Sequence, residues 1–544
     1  MNLRRKRMML MDGQWYGYLR TATGNPLTLQ NAKRLRKLTI YGNAVQDGTP
    51  SPDAPVEVQL CGDRTGNLFD ITQISGNLLE VTDNKVYLSD YACSIGISPK
   101  RFLEMTGLNP GDTITCSNSA EVISGTANAV LGRVAFSAKN GGTPLILCSN
   151  NTKTITIPSD FNNDNYNNLL LYGAHIPDES GEQLAVMSDF AIYKGSYTAD
   201  TLPAYEPYGY KVSGRAEGLN LLDVSDSANI LNGDTVVDGD SITFTTTDYC
   251  YGIRFARLTL DPNTEYTLSY QSVNFDGNYT DSYGLRAVID NSGVPGGASS
   301  YITFTTNETG DVTLSYYVGI PYEGEAGKIL TIKGVALYKG SYTAETMPPY
   351  EPYQPPQDFA VYLPEQIAKV GDVADEVVVD MESKTAELRK NILQYEHSND
   401  WLLGSNGKND VTQRFYQISI RHLALNSRVI SNVFAELNPS SVNIFNNDTE
   451  GFNCSNNSYL QVRVNKSRLD TVDVSGFKSW LAAYEETTPL IIYGEALTPV
   501  TTDITSLQQW DAMPQVSGTV TLTLSAEVDP SGAEAVYYSK ERGE

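Results

Sequence analysis

The chain contains an internal duplication, which constrains its fold more than any other feature of the sequence. YKGSYTADTLPAYEPY at Tyr193–Tyr208 returns as YKGSYTAETMPPYEPY at Tyr338–Tyr353, with three differences in sixteen positions. Upstream, GNLFD at Gly66–Asp70 matches LNLLD at Leu219–Asp223. The offset between the copies drifts from 153 residues at the start to 145 at the end. A slowly drifting offset indicates one fold that was copied, with loops of different length.

Each copy is predicted to be a β-sandwich. In the second copy, runs such as SITFTTTDY, NTEYTLSY and DVTLSYYV alternate or are β-branched, and Gly, Pro, Asn and Asp turns separate them. Several short strands at this spacing favour a sandwich or jelly roll over a parallel α/β sheet. We therefore predict an all-β protein of tandem jelly-roll β-sandwich modules, with β-rich N-terminal and C-terminal regions.

A chain of 544 residues is too long for one core, and the repeat divides it into segments. We predict five: a basic N-terminal attachment region (1–60), module 1 (61–210), module 2 (211–353), a third β-rich region with a helix near Trp480 (354–510), and a C-terminal β segment (511–544). Within the third region, Ile367–Ile392 fits either a short coiled coil or a strand pair. We favour the strand pair because Lys384 and Asn391 interrupt the heptad seam.

Charge is distributed unevenly along the chain. The net charge is −25, but residues 1–37 carry nine Lys and Arg against one acid, so that this segment is +8 and the rest −33. The acidic remainder argues against nucleic acid as a partner, because phosphate binding depends on Lys and Arg. The basic segment is predicted to be either a docking segment for a different partner or a solvated arm.

The sequence predicts neither a cleaved signal nor a membrane span. The apolar run Met8–Met11 is stopped by Asp12, short of the ~7–15 residues of a secretory core. No run approaches the roughly 18 apolar residues of a membrane helix. We expect assembly in a cytoplasm and no membrane insertion.

Residues that would support catalysis are not grouped in recognisable motifs. His175, His397 and His422 lie in unrelated contexts, and no HExxH, GxSxG or phosphate-binding loop occurs. The six cysteines have neither zinc-site spacing nor the density of a disulfide framework. We therefore expect no enzymatic activity and no catalytic residues.

Three blocks of the sequence resemble proteins of phages and prophages of Gram-positive bacteria. Leu38–Asp70, Leu363–Asp380 and Phe477–Thr505 are similar to recurrent blocks of their tail-fibre-like and minor structural tail proteins. The resemblance implies a place in the virion tail, other virion tail proteins as partners, and a homo-oligomer, most simply a trimer. It is compatible with two functions. One is a fibre or tail-tip adhesin that contacts host cell-wall polysaccharide, and the other is a purely architectural part of a collar, baseplate or head fibre.

The repeated modules are also similar to jelly-roll carbohydrate-binding modules, in which a Leu-x-Pro-x-x-x-Tyr-Thr-Leu strand recurs. Leu260–Leu268 matches this pattern, whereas module 1 has Ile114 where module 2 has Tyr266. Such modules often carry an Asp in the last strand near a structural calcium. Asp189 occupies this place in module 1 and Gly334 in module 2, so the resemblance implies a calcium site for module 1 alone and no other cofactor.

Sugar recognition needs flat aromatic faces for stacking and polar side chains for hydroxyl groups. Module 2 is rich in both, and the candidate glycan-binding residues are Tyr249, Tyr251, Arg254 and Tyr279. The alternative is that half or more of its tyrosines pack within the sandwich. Module 1, with Tyr87 and Tyr91 as the main equivalents, is poorer in such residues.

Overall fold

Antiparallel strands form nearly all of the regular structure, which confirms the predicted all-β class. The structure, a computed structural model, describes residues 7–11, 14–21, 27–46, 48–76, 79–82, 84–89, 92–124, 130–173, 185–224, 235–247, 252–279, 283–289, 292–295, 299–318, 326–404, 413–419, 429–437, 450–455, 459–485, 492–525 and 533–539. Within these ranges there are forty strands and two α-helices. None of the helices in these ranges is long and apolar enough to cross a membrane.

The first half of the chain contains six N-terminal strands, the elements of module 1 and one further strand. The N-terminal strands are β1 (Arg7–Met11), β2 (Gln14–Thr21), β3 (Leu27–Tyr41), β4 (Ala44–Gln46), β5 (Val58–Leu60) and β6 (Asp63–Arg64). Module 1 contains β7 (Leu79–Thr82), β8 (Lys85–Leu88), β9 (Ala92–Ser94), α1 (Pro99–Thr106), β10 (Thr113–Val122), β11 (Arg133–Ala138), β12 (Leu145–Ser149), β13 (Lys153–Thr156), β14 (Tyr166–Tyr172) and β15 (Ala185–Lys194). The strand that follows it is β16 (Tyr210–Gly218).

Module 2 and the remaining chain supply the other elements. Module 2 contains β17 (Thr235–Asp238), β18 (Ser241–Thr245), β19 (Gly252–Thr259), β20 (Glu265–Ser269), β21 (Ser272–Phe275), β22 (Gly284–Ile289), β23 (Ser292–Pro295), β24 (Tyr301–Thr305), β25 (Asp311–Tyr317), β26 (Ile329–Lys333) and β27 (Ala336–Lys339). After it come β28 (Gln357–Leu363), β29 (Lys369–Val370), β30 (Val373–Ala374), β31 (Glu376–Asp380), β32 (Thr385–Tyr395), β33 (Leu402–Leu403), β34 (Gln413–Ser419), β35 (Val429–Ser431), β36 (Gly451–Ser455), β37 (Tyr459–Asn465), α2 (Val474–Glu485), β38 (Ile492–Asp503), β39 (Gly518–Ser525) and β40 (Ala533–Ser539).

A twelve-stranded central sheet joins segments that are far apart in the chain. Its main path is β1-β2-β40-β3-β31-β32-β38-β35, and β39 connects β3 to β16, which also pairs with β6 and β28. The sheet therefore combines strands from the predicted N-terminal region, the third region and the C-terminal segment. Its buried side chains form one hydrophobic cluster, which includes Leu38, Val212, Val361, Leu388 and Leu522.

Both modules are insertions into this central sheet. Module 1 leaves the sheet after β6 and returns as β16, and module 2 leaves after β16 and returns as β28. Because β6 and β16 belong to the sheet, module 1 comprises residues 65–209 and module 2 residues 219–356. Residues 396–491 separate β32 from β38. Apart from β35, which pairs with β38 in the central sheet, they form a third insertion that is called the lobe below.

The two modules share one strand order, as the duplication predicts. In module 1 a sheet β13-β10-β15-β8-β7 faces a sheet β12-β11-β14-β9. In module 2 two of the corresponding strands are interrupted. The pair β20 and β21 takes the place of β10, and the pair β26 and β27 takes the place of β15. The order of the strands in the sheet is the same. The opposite sheet, β23-β22-β25-β19, also matches. Helix α1, which Ser98 caps through the Arg101 N–H, is an addition found in module 1.

The lobe packs a helix against a small sheet. Its strands run β33-β34-β37-β36, and α2 buries Phe477 and Leu481 against them, with the Phe477 ring stacked 4.1 Å from that of Tyr416. Helix α2 confirms the helix predicted near Trp480, and the antiparallel pair β31–β32 confirms the strand pair predicted within Ile367–Ile392.

An arginine clamp connects the lobe to the N-terminal region. The Arg468 guanidinium donates to both carboxylate oxygens of Asp53, at 2.7 and 2.6 Å, and to the carboxylate of Glu450, at 2.8 Å. Nearby, the Tyr484 hydroxyl donates to the Pro52 carbonyl at 2.6 Å. These bonds fix the Pro-rich loop before β5 on the surface of the lobe.

Candidate functional site

The predicted glycan-binding residues do not form one site among the described residues. Tyr249 and Tyr251 lie outside the described ranges, as does Tyr91 of module 1. Arg254 lies on the exposed face of β19, in register with Ser315 of β25. Tyr279 is 38% exposed, and its ring lies 5.3 Å from that of Phe275 and 4.7 Å from that of Tyr283.

Tyr279 belongs to a tyrosine cluster, composed of Tyr270, Tyr279, Tyr283 and Tyr316. The buried Tyr316 hydroxyl is hydrogen-bonded to those of Tyr270 and Tyr279, and the Tyr270 and Tyr316 rings meet edge to face at 5.6 Å. Burial raises the pKa of Tyr270, Tyr279 and Tyr316. The hydroxyl groups therefore stay neutral at physiological pH, and the hydrogen bonds hold the partly exposed rings in fixed positions.

The repeated C-terminal segment of module 2 folds back over the outer face of its sheet. This segment, residues 341–353, is called the arm. The Thr267 hydroxyl of β20 donates to the Gly340 carbonyl at 2.8 Å and accepts the Tyr342 N–H at 3.1 Å. The Tyr342 ring packs edge to face on Tyr338 of β27 at 5.9 Å. One buried threonine thus fixes the start of the arm on the sheet.

A groove of about 210 Å³ lies between the arm and the sheet. All of its lining residues belong to module 2: Ser269, Tyr270, Gln271, Ser300, Tyr301, Gly334, Tyr338, Ala344, Met347, Pro348 and Tyr350. Half-buried tyrosines thus stand beside hydroxyl and amide side chains. Tyr338, hydrogen-bonded to Ser269, forms the floor, and burial raises its pKa to about 12.

This groove can hold a neutral polar ring. Aromatic faces take the apolar C–H face of a sugar, and short polar side chains bond its hydroxyl groups. Its volume is below that of a typical pocket for a drug-sized ligand, so it suits one ring of a chain that otherwise remains in solvent. Tyr270 belongs both to the groove and to the tyrosine cluster, whereas the predicted residue Tyr279 belongs to the cluster and does not line the groove.

In module 1, the region that corresponds to the arm and groove of module 2 faces the central region of the protein. Its arm begins with the same contacts, because the Thr115 hydroxyl donates to the Gly195 carbonyl at 3.0 Å and accepts the Tyr197 N–H at 3.0 Å. However, the Tyr205 carbonyl accepts a 2.8 Å hydrogen bond from the Gln509 side chain. A crevice of about 620 Å³ here is lined by Tyr205 and Asp189 on one side and by residues 506–512 on the other.

Sequence reasoning missed Tyr301 and Tyr350 as groove residues. Tyr350 lies in the repeated YEPY sequence, whose Pro residue favours an edge strand or a linker over a binding site. Tyr301 could have been found by alternation, because Ile302 and Phe304 face the core and Tyr301 therefore faces outward. The fold-back of the arm, which completes the groove, has no signal of this kind.

Asp189, the candidate calcium ligand, has a backbone role. It adopts a left-handed conformation with φ of 52°, and Gly334 has φ of 63° at the same place in module 2. Asp189 lies at the register shift between β10 and β15, and Gly334 lies between β26 and β27, where the last strand of module 2 is interrupted. Among the described residues, no group of three or more His, Cys, Asp or Glu side chains could hold a metal ion.

Comparisons with known proteins identify no family for this chain. No family model matches it, and no curated protein matches it. Two solved structures of infectious bursal disease virus, the VP2 subviral particle and the Gt strain, align with all of this chain and 83% of theirs. They are 7% identical to it, with TM-scores of 0.09 and 0.08, which are too low to support any relationship.

Proposed function

We propose that this chain is a structural protein of a bacteriophage tail and that module 2 binds a host cell-surface glycan in its groove. The tail assignment rests on the resemblance of Leu38–Asp70, Leu363–Asp380 and Phe477–Thr505 to tail proteins. The observation that carries the glycan proposal is the difference between the two copies. The counterpart in module 1 is bounded by residues 506–512 of the central region, whereas the lining of the module 2 groove comes from module 2 alone.

Binding in this groove requires no chemical step. One sugar ring would stack on the half-buried faces of Tyr301 or Tyr350, with Ser300 and Gln271 within reach of its hydroxyl groups. An open groove of this size gives modest affinity per site, so useful adhesion calls for several copies of the chain. An oligomer of the tail protein, most simply a trimer, would supply them through multivalency.

Attachment to the particle is assigned to the N-terminal region together with the central sheet. Strand β3 is part of that sheet, and two of its basic side chains, Arg34 and Arg36, form ion pairs with Glu382 at 3.3 and 3.0 Å. The basic segment is therefore partly integrated in the fold. A deletion of residues 1–37 would remove most of β3, so attachment is better tested by charge reversal at positions before β3.

Binding of the full chain to purified cell walls of the host tests the glycan proposal. We expect Tyr301→Ala and Gln271→Ala each to weaken binding about fivefold, since an aromatic contact and a hydrogen bond are each worth ~1 kcal/mol. Tyr87→Ala, at a half-buried tyrosine of a module 1 strand, is the matched control and should bind like the wild type. Normal binding by both groove variants would rule out the groove. Absence of wall binding by the wild type would favour the purely architectural function.

A further inference from the structure

Two cysteines of module 1 face each other across its core. Cys116 lies on β10 of the five-stranded sheet, and Cys148 lies on β12 of the opposite sheet. Both side chains are fully buried, and their Sγ atoms are 2.7 Å apart. The pair therefore spans the space between the two sheets of module 1.

The backbone directs both thiols into this position. On β10, Ile114 and Cys116 point inward by simple alternation. On β12, Leu147 and Cys148 are adjacent and both fully buried, which alternation does not allow. A register shift against β11 at this point, between the pairs Val134–Cys148 and Ala135–Ile146, turns Cys148 inward as well.

The separation of the sulfur atoms suits a covalent bond better than a contact between thiols. A disulfide needs a sulfur distance of about 2.05 Å and side chains that point at each other from neighbouring backbones. The two thiols already meet the second condition, and a shift of a few tenths of an ångström by each meets the first. In module 2 the place of Cys116 is taken by Leu268, so the pairing is specific to module 1.

We propose that Cys116 and Cys148 form a disulfide bond that joins the two sheets of module 1 when the chain meets a low-molecular-weight disulfide as oxidant. One thiolate attacks the oxidant, whose S–S bond breaks and releases one thiol. The second thiolate then displaces the other half as a thiol. The protein loses two protons and two electrons, and the oxidant is reduced to two thiols.

Burial determines when this reaction can occur. Desolvation, together with the neighbouring thiol, raises the pKa of Cys116, so that little thiolate forms in the closed module. Oxidation therefore takes place before the sandwich closes or when it opens transiently. Once formed, the bond is shielded from reductants by the same burial. This inference does not depend on glycan binding, and it concerns the durability of module 1 outside the cell.

Cysteine mapping of the full chain tests the proposal. The chain is refolded with glutathione disulfide, denatured, alkylated and digested, and the peptides are identified by mass spectrometry. We expect one cross-linked peptide joining Cys116 to Cys148, with the other four of the six cysteines alkylated. Full alkylation of both residues, or a link from either to Cys93 in the same core or to Cys61, would overturn the proposal.

A second measurement compares the melting of oxidised and reduced protein. Oxidation should raise the melting temperature of the module 1 transition by at least about 5 °C, because the link restricts the unfolded chain. Cys116→Ala should abolish this shift, and Cys93→Ala, which also removes a buried thiol of module 1, should retain it. The cysteine mapping uses the wild-type chain, so its result holds even if Cys116→Ala does not fold. An unchanged melting temperature in a fully cross-linked wild type would contradict the stabilising role.

Discussion

The amide oxygen of Asn220 accepts a 3.0 Å hydrogen bond from the backbone N–H of Leu337, 117 residues further along the chain. The same oxygen accepts the Leu222 N–H at 3.0 Å, and the Asn220 amide group donates to the Glu351 carbonyl at 3.2 Å. Module 1 repeats the arrangement, since the Asn67 oxygen accepts the N–H groups of Phe69 and Ile192 and its amide donates to the Glu206 carbonyl. A single buried asparagine thus connects the start, the last strand and the end of each module.

Replacing Asn220 by Ala should therefore destabilise module 2. Two buried N–H groups, of Leu222 and Leu337, would lose their acceptor, at a cost of about 3 kcal/mol in the free energy of unfolding. Asn220→Asp keeps an acceptor and loses the donor, so we expect a loss of stability that is smaller than that of Asn220→Ala. Asn274→Ala, on an exposed strand position of the same module, is the control and should be nearly neutral. Urea unfolding measures these changes, and equal midpoints for Asn220→Ala and Asn274→Ala would contradict the role of Asn220.

The left-handed residues in the last strand of each module should respond to substitution in opposite ways. A Cβ added at Gly334 would lie 2.5 Å from the Gln271 Cγ, and its φ is positive, so Gly334→Ala should cost about 1–3 kcal/mol. In the Gly334→Ala background, the second substitution Gln271→Ala should recover the part of the lost stability that is due to the clash. Asp189→Gly should leave the melting temperature of module 1 the same or higher, with or without calcium. A marked fall for Asp189→Gly in calcium would instead support a metal site at Asp189.

Loss of the Asp53–Arg468 ion pair should weaken the docking of the lobe at neutral pH. The Arg468 guanidinium holds the pKa of Asp53 below its ordinary value of 3.8. A depressed carboxyl pKa stabilises the fold above that value, and the contribution is lost as the pH falls through the folded pKa. The urea midpoint of the wild type should therefore be higher than that of Asp53→Asn at pH 7, and this difference between the midpoints should shrink below pH 4. Fluorescence of Trp401 and Trp480 reports on the lobe, and a difference that persists at pH 2 would contradict this prediction.

High pH should destabilise the modules through their buried tyrosines. Burial raises the pKa of Tyr193 and of Tyr338 to about 12, above the ordinary value of 10. The folded state favours the neutral hydroxyl group. Its contribution to the free energy of unfolding is therefore complete below pH 10 and is lost as the pH rises towards 12. Tyr338→Phe should reduce the slope of stability against pH in this window relative to the wild type. Thermal melts between pH 9 and 12 measure the slope.

The sequence alone determined the class of fold and its local elements. The duplication predicted two modules with one strand order, and the alternating or β-branched runs predicted strands such as β18, β20 and β25. The helix at Val474–Glu485 and the strand pair β31–β32 were also predictable. These features depend on residues that are close in sequence, where the period of the side chains and the turn residues carry the signal.

The candidate site was predicted only in part. The sequence shows that module 2 is rich in tyrosine, but composition could not distinguish Tyr316, which is buried in the core, from Tyr301, which lines the groove. The groove exists because the arm folds back on β20, and that contact depends on Thr267 and Tyr342, which are 75 residues apart.

Tertiary structure alone decided how the segments are joined. Strands at Leu27–Tyr41, Tyr210–Gly218 and Gly518–Ser525 form one sheet, although nothing in their sequences specifies their partners. Backbone N–H and C=O groups are the same in every strand, so pairing between distant strands is chosen by which side chains bury together on the shared face. That selection placed both modules in loops of the central sheet. It also left one copy of the repeated arm against residues 506–512 and the other beside a groove lined by module 2 alone.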